Sequence, residues 1–457
     1  MLHLPAGRYY LTSSIDTLQD DGTRTMAVLY RPELVVDGSA SLTLDARVAK
    51  PIDVRLPDRE ATTTAGSLMV QRNVGDDTVQ SFWLGSLDTL SFAQLGGAPT
   101  TGSLHASING LWARPEAWEG AATPQYHLAF ALPDKANAGL TRRLTRKDLA
   151  RIDSTISAPL ANRRARVTAI PFLPDGTSNL GVAVNSPRAV PRMQTDYVNA
   201  DASWSFLLTQ FDPEGYSEAE YYSPQRSYRP GRTYRTGYGV GVFGPGEAAG
   251  GGPWGLFRTG DALDLTLSLQ TDGLGHPGVA AQRDDVVTRT TLVADGATVF
   301  DRPVAPFVDN LQVPSGDARF TLTSSITQSP RRSEVSTRVD STWTFRSATV
   351  ASGTRRTPLL NIRYAPRLTA DTSAPAAGRI SVPVTVEGAG GGVRSLTVSV
   401  SYDEGESWAR VLVKGGRILL HPVEGAESVS LRASAVDGHG NTAQQTIVRA
   451  FKLTPRG

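Results

Sequence analysis

One octapeptide shows most plainly what this chain can fold into. Ser401-Tyr402-Asp403-Glu404-Gly405-Glu406-Ser407-Trp408 lies between the alternating run Leu396 to Val400 and a second run, Val411 to Val413. Its S-x-D-x-G-x-S-W pattern is an Asp box. The aspartate bonds the turn backbone, the glycine supplies φ > 0, and the tryptophan packs beneath. Such a device closes a hairpin and does no chemistry. Val429-Ser430-Leu431-Arg432-Ala433 and the turn Asp437-Gly438-His439-Gly440-Asn441-Thr442 continue in the same style. A period of two belongs to strands. The chain is therefore expected to be all-β, with three to four consecutive β-sandwich domains and at most one or two short helices.

Residues 1–57 read as a small transthyretin-like β-domain, with strands such as Tyr9 to Ile15 and Met26 to Tyr30 and turns at Asp20-Asp21-Gly22 and Asp37-Gly38. Residues 58–195 form a β-rich domain. It holds the one helical candidate, Thr145 to Ile152, where Thr145 is a cap and Leu149 and Ile152 share a face. Residues 196–366 read as a larger β-sandwich. Within it, Thr291 to Phe300 is a hairpin turned at Asp295-Gly296. Residues 367–457 read as an Ig/fibronectin-like β-sandwich carrying the Asp box. Gly244 to Gly252 reads as a loop inside a domain, because apolar patterning resumes at Trp254. The Asp box occurs once, which excludes a propeller built of such repeats.

Composition narrows the function. The 457 residues have a formal net charge of +2, which gives no electrostatic case for nucleic acid or an anionic membrane. No apolar run approaches the roughly 18 residues of a spanning helix. The cysteine count is zero, which excludes disulfides, thiol catalysis and Cys-ligated zinc. Met1 to Tyr10 lacks the basic and apolar regions of a signal peptide and reads as the middle of a strand. The chain is thus expected to begin inside a domain of a longer protein.

Candidate chemistry is sparse. Gly176-Thr177-Ser178 approaches the nucleophile motif G-T-S-M-A-x-P but continues Asn179-Leu180-Gly181 and follows the turn Pro174-Asp175. His439-Gly440 continues Asn441-Thr442, and no G-x-S-x-G elbow is present. The six histidines, His3, His105, His127, His276, His421 and His439, form no H-E-x-x-H and no close pair. No pair of carboxylates stands out for glycoside hydrolysis. No catalytic residue, metal ligand or cofactor is expected. Asp403-Glu404-Gly405-Glu406 and Asp437-Gly438 have oxygens enough for a structural calcium, but a hydrogen-bonded turn is the simpler reading. The best contact surface is aromatic: Tyr216, Tyr221, Tyr222, Tyr228, Tyr234 and Tyr238 are interleaved with arginines including Arg232. Exposed aromatics beside guanidiniums stack on sugar or protein surfaces. The alternative is that alternate tyrosines point into a core while the arginines line the outside.

Taken in order, several stretches resemble the C-terminal accessory region of large secreted subtilisin-like serine peptidases of actinobacteria. They are Leu4-Pro5-Ala6-Gly7-Arg8-Tyr9, Leu42 to Arg47 with Lys50-Pro51, Tyr228 to Tyr234, Val242-Phe243-Gly244-Pro245, Arg258-Thr259-Gly260-Asp261, Ser341 to Ser347, Val398 to Asp403 and Ala435 to Asn441. In that family the catalytic domain precedes this region, and none of its motifs is present here. The resemblance implies an extracellular setting and a serine endopeptidase as the parent protein. It also implies a catalytic domain in cis, beside which this region gives structural support and binds protein substrate or cell-surface glycan. A stand-alone glycan- or protein-binding β-sandwich protein and a hydrolase of unrecognised type are the alternatives.

Overall fold

The alternation of apolar and polar residues is realised as strands throughout. A computed structural model describes residues 3–39, 41–117, 122–132, 134, 137–175, 181–182, 186–246 and 252–455. Among them every regular element longer than three residues is a β-strand, and the only helical pieces are three-residue 3-10 turns at Ala46–Val48, Leu87–Thr89 and Pro115–Ala117. The all-β expectation holds. Among the described residues no helix is long and apolar enough to cross a membrane.

The helical candidate is a correction. Thr145 to Asp148 is a turn, closed by the Thr145 hydroxyl donating to Asp148 Oδ2 at 2.7 Å. Leu149–Ile156 is then a strand. Ala150, Ile152, Ser154 and Ile156 are all buried, which is the period of a strand and not of a helix. The strand pairs on both sides, with Arg192–Asn199 and Thr233–Tyr238. Pairing on two edges outweighs weak local helix preference.

Three large apolar clusters hold the described residues together. The first, around Tyr30, Leu68, Phe92, Ile108 and Phe130, lies in a five-stranded and a seven-stranded sheet. The second, around Trp204, Phe206, Tyr221 and Tyr238, joins that seven-stranded sheet to another of five strands. The third, around Leu292, Phe320, Trp343, Ile362 and Phe451, lies under a nine-stranded sheet.

Strand pairs cross each boundary expected from the sequence. Lys50–Arg55 pairs with Leu140–Arg143 across 57. Leu149–Ile156 pairs with Thr233–Tyr238 across 195. Arg338–Ser347 pairs with Thr442–Thr454 across 366. Sheets thus continue across the expected boundaries at 57, 195 and 366. The final sandwich recruits strands from Val286 onward, because its sheet needs them as hydrogen-bonding neighbours.

The Asp295-Gly296 hairpin forms as expected. Val286–Ala294 pairs with Ala297–Arg302, and both turn residues have positive φ, 45° and 88°. That is the geometry of a type I′ turn, whose twist matches that of the strands it joins.

Candidate functional site

The nine-stranded sheet has one covered face and one open face. Val339, Trp343, Phe345, Leu431, Ala435, Ala443 and Ile447 belong to the core beneath it. Successive side chains point to opposite faces, so the residues between them turn outward. Register sets these in two rows. Asp340 lies opposite Thr446, Thr446 opposite Arg432, and Arg432 opposite Ser399. Thr342 lies opposite Gln444, Gln444 opposite Ser434, and Ser434 opposite Thr397. All eight line a groove of about 440 Å³. The rows offer one carboxylate, one guanidinium, five hydroxyls and one amide. The carboxylate is held by Arg338 at 2.7 Å. With Asp340 paired to Arg338, the Arg432 guanidinium gives the groove one positive charge among closely set hydrogen-bond donors and acceptors.

The Asp box stands at the side of this groove. The Ser401 hydroxyl donates to Asp403 Oδ1 at 2.6 Å and accepts from the Gly405 amide at 2.7 Å. The Ser407 amide donates to Asp403 Oδ1 at 3.0 Å, and the Ser407 hydroxyl also bonds this carboxylate. The hydroxyls of Ser401 and Ser407, then the Ser407 amide, hold Asp403 far below the usual carboxylate range. Gly405 has φ 99°, which a side chain rarely adopts. Trp408 closes the turn by donating from Nε1 to the Gly405 carbonyl at 2.9 Å. The Arg432 guanidinium, which lines the groove, sits 4.5 Å from the centre of the Trp408 ring. The box thus folds a hairpin and also fixes one wall residue of the groove.

The second acidic turn is built alike. Asp437 is fully buried and accepts from the amides of His439 at 2.9 Å, Asn441 at 2.8 Å and Gly390 at 3.0 Å. Burial pushes its carboxyl up, and these hydrogen bonds with that from the Asn441 side chain outweigh it, so the net shift is downward. His439-Gly440 is therefore part of an aspartate-closed turn. Gly176-Thr177-Ser178 lies outside the described residues.

The aromatic candidates do not form one surface. Tyr221 and Tyr238 are buried in the second core, and burial pushes both phenols well above their usual range. Tyr228 and Tyr234 pack against that core. They meet edge to face at 4.9 Å, with the Arg226 guanidinium 5.5 and 4.7 Å from their ring centres. The Tyr234 hydroxyl accepts from the Arg229 amide at 3.0 Å. Tyr222 lies apart against Trp254 at 5.4 Å. Tyr216 is exposed under Arg283 at 4.8 Å, and Arg232 is exposed. Burial of alternate residues splits the set between core and surface, and no shared platform results.

A hydroxyl, an imidazole and a carboxylate do meet elsewhere. Ser103 Oγ is 3.1 Å from His105 Nε2, and His105 Nδ1 is 2.7 Å from Asp175 Oδ2. Asn73 Nδ2 donates to the same Ser103 oxygen at 3.1 Å. The imidazole is 24 % exposed. Ser103 and His105 share a face of one strand, while Asp175 comes from a turn beyond Arg163–Phe172. Sequence motifs gave no sign of this, because no known spacing unites the three.

No family model matches the chain, and no curated protein matches it. Among solved structures, the chain is similar to the N-terminal four Ig domains of Dscam1 isoform 4.44, at 9% identity and a TM-score of 0.15, over 89% of this chain and 98% of that one. It is also similar to immunoglobulin domains 1–4 of Sidekick-1, at 9% identity and a TM-score of 0.14, over 89% of this chain and 97% of that one. Scores of that size carry no argument. The class rests on the sheets themselves: among the described residues, an all-β protein of several packed sheets, of which the nine-stranded one has an open polar face.

Proposed function

We propose that this chain is an extracellular binding region that holds a neutral, hydroxyl-rich saccharide on the open face of its nine-stranded sheet. The observation that carries this reading is the groove between Asp340, Arg432 and Gln444. It is built from hydroxyls, an amide, a carboxylate already paired with Arg338 and the Arg432 guanidinium, and such a lining offers both donors and acceptors to sugar hydroxyls. The region serves as the non-catalytic accessory part of a secreted subtilisin-like serine endopeptidase. It raises the effective concentration of a glycan-bearing substrate or surface beside a catalytic domain in cis. The resemblance of the ordered stretches from Leu4 to Asn441 supports that setting. A glycan array on the purified chain tests the binding, with Arg432→Ala and Gln444→Ala as controls. Binding that both variants retain would place the ligand elsewhere, and an array with no binding removes the reading. A reading frame upstream that lacks the Asp, His and G-T-S-M-A motifs would remove the peptidase setting alone.

The meeting of Ser103, His105 and Asp175 favours a second reading, a serine hydrolase. A carboxylate on Nδ1 orients an imidazole whose Nε2 can take a serine proton. Labelling by a fluorophosphonate probe that Ser103→Ala abolishes would support it. An unlabelled wild-type chain would end it.

A further inference from the structure

The strand Leu149–Ile156 lies between Arg192–Asn199 and Thr233–Tyr238, and Thr233–Tyr238 ends the seven-stranded sheet. Ala150, Ile152 and Ile156 belong to the second core, and Leu149 to the first. Two residues beyond Leu149 the same face is open. Arg151 is exposed there, and so is Arg235 on the end strand. Arg151 lies opposite Thr233, and Asp153 opposite Arg235.

Two turns bring more cations to this corner. The Arg151 amide donates to the Arg232 carbonyl at 2.9 Å, and the Gly231 amide to the Leu149 carbonyl at 2.9 Å. These bonds set the turn at Arg229 to Arg232 against the turn at Thr145 to Asp148. A Cβ on Gly231 would lie 3.7 Å from the Lys147 carbonyl oxygen. Burial pushes the Tyr126 phenol up to about 12, and Arg146 is one of the charges that pull it back. Tyr126 stacks on Tyr197 at 4.9 Å, and Tyr197 lies opposite Arg151. Arg146, Lys147, Arg229 and Arg232 are all exposed.

Six cations thus meet two carboxylates, and both carboxylates are engaged. Asp148 accepts from the Thr145 amide at 2.8 Å and its hydroxyl at 2.7 Å. Asp153 accepts from Arg151 Nε and from the Thr195 hydroxyl, each at 2.8 Å. Arg235 acts on Asp153 only through space. Among the described residues, Arg146, Lys147, Arg229, Arg232 and Arg235 form no ion pair. The excess at this corner is larger than the net charge of +2 of the whole chain. Charge on an end strand guards it against unwanted pairing. That accounts for Arg235 but not for the cations in the two turns.

The exposed residues among these cations are Thr145, Pro230, Gly231 and Thr233. Protein partners anchor through large apolar or aromatic side chains at the centre of a contact, and a membrane surface needs apolar side chains to insert. The exposed Met193 lies opposite Thr155, at the far end of the strand. Guanidiniums beside hydroxyls, with no apolar anchor between them, match a ligand whose acidic groups each take paired hydrogen bonds from arginine.

We propose that this corner binds an acidic polysaccharide, a linear glycan bearing carboxylates or sulfates, held by Arg146, Lys147, Arg151, Arg229, Arg232 and Arg235. This is a second saccharide site, separate from the groove of the nine-stranded sheet and of opposite preference in charge.

Binding of the full chain to immobilised polygalacturonate and heparin, measured in rising sodium chloride, tests this. Both polysaccharides should bind, and affinity should fall as salt rises, since exposed charges are screened. Arg232→Glu with Arg235→Glu should weaken binding about tenfold or more, as lost charged hydrogen bonds imply. Arg394→Glu with Lys414→Glu makes the same change of charge at exposed positions elsewhere, and it should stay within about twofold of the parent. Losses equal in the two double variants, or absent from both, would overturn the proposal. So would a parent chain that neither polysaccharide retains. Polyglutamate or phosphatidylserine vesicles bound more tightly than either polysaccharide would overturn the assignment to a glycan. Should Arg232→Glu with Arg235→Glu fail to fold, Arg146→Glu with Lys147→Glu takes its place with the same expected loss.

Discussion

The Arg432 guanidinium rests on the Trp408 ring at 4.5 Å, and this one contact ties the hairpin at Ser401 to Trp408 to the groove of the nine-stranded sheet. Trp408 is fixed by its own bond to the Gly405 carbonyl, so the turn holds one side of the groove in place. Cation–π stacking of this kind contributes about 0.5–1 kcal/mol at an exposed site. It also limits where the guanidinium can point. Arg432→Ala should lower saccharide affinity about tenfold or more, as loss of a charged hydrogen bond of about 1.5–3 kcal/mol implies. Trp408→Ala should lower it less, by freeing Arg432. Calorimetric titration of a bound oligosaccharide against both variants measures this. Equal affinity for Arg432→Ala and the parent chain rejects the groove.

Asp403 gives the Asp box a pH signature. Its folded-state carboxyl is held far below its ordinary value of 3.8 by the Ser401 and Ser407 hydroxyls and the Ser407 amide. A depressed pKa contributes stability that is present above the unfolded value and is lost as pH falls through the folded one. Asp403→Asn should therefore lower Tm at neutral pH, and the gap should narrow as pH drops below about 4. Melting curves of both proteins from neutral to acid pH check the trend. A gap that stays constant into acid would contradict it.

The tyrosines of the expected contact surface should divide by burial. Tyr221 is 6% exposed and packs on Phe243 at 5.8 Å. Tyr221→Ala should cost about 3–5 kcal/mol, as large aromatic truncations in cores do. Tyr216 is 61% exposed, and Tyr216→Ala should fall within about 0.5 kcal/mol of the parent. Urea unfolding of the two variants separates them. Similar midpoints for both would mean that the second core is wrongly placed.

Arg163 and Glu218 form a buried two-pronged pair, with Nε to Oε2 at 2.8 Å and Nη2 to Oε1 at 3.0 Å. Both side chains are nearly out of water, at 9% and 6% exposure. Removing one partner strands a charge, so Glu218→Ala should cost about 3–5 kcal/mol. The double replacement Arg163→Met with Glu218→Leu should recover much of that loss. A double-mutant cycle by urea unfolding reads the difference, and strictly additive losses would show that the pair is uncoupled.

Much of the local structure was legible. Asp295-Gly296 announced a hairpin because few residue pairs accept positive φ at both positions, and the Asp box announced its turn for the same reason at Gly405. Thr145 to Ile152 misled, since Leu149 and Ile152 would share a face of a helix but lie on opposite faces of the strand, each buried in a different core. The tyrosine run misled differently. Its residues are close in the chain, yet Tyr238 turns into the core while Tyr216 faces water. Closeness in sequence says nothing about which side of a sheet a residue takes.

The sequence alone determined the all-β character of this protein, its turns and the alternation that makes each strand two-faced. These follow from φ/ψ preferences and a period of two, both of which are local. Only the tertiary structure decided which strands became neighbours: Asp340 beside Thr446 and Thr446 beside Arg432. Register between distant strands is chosen by burying one whole face at once. That choice belongs to the sheet as a unit, and it placed the polar groove.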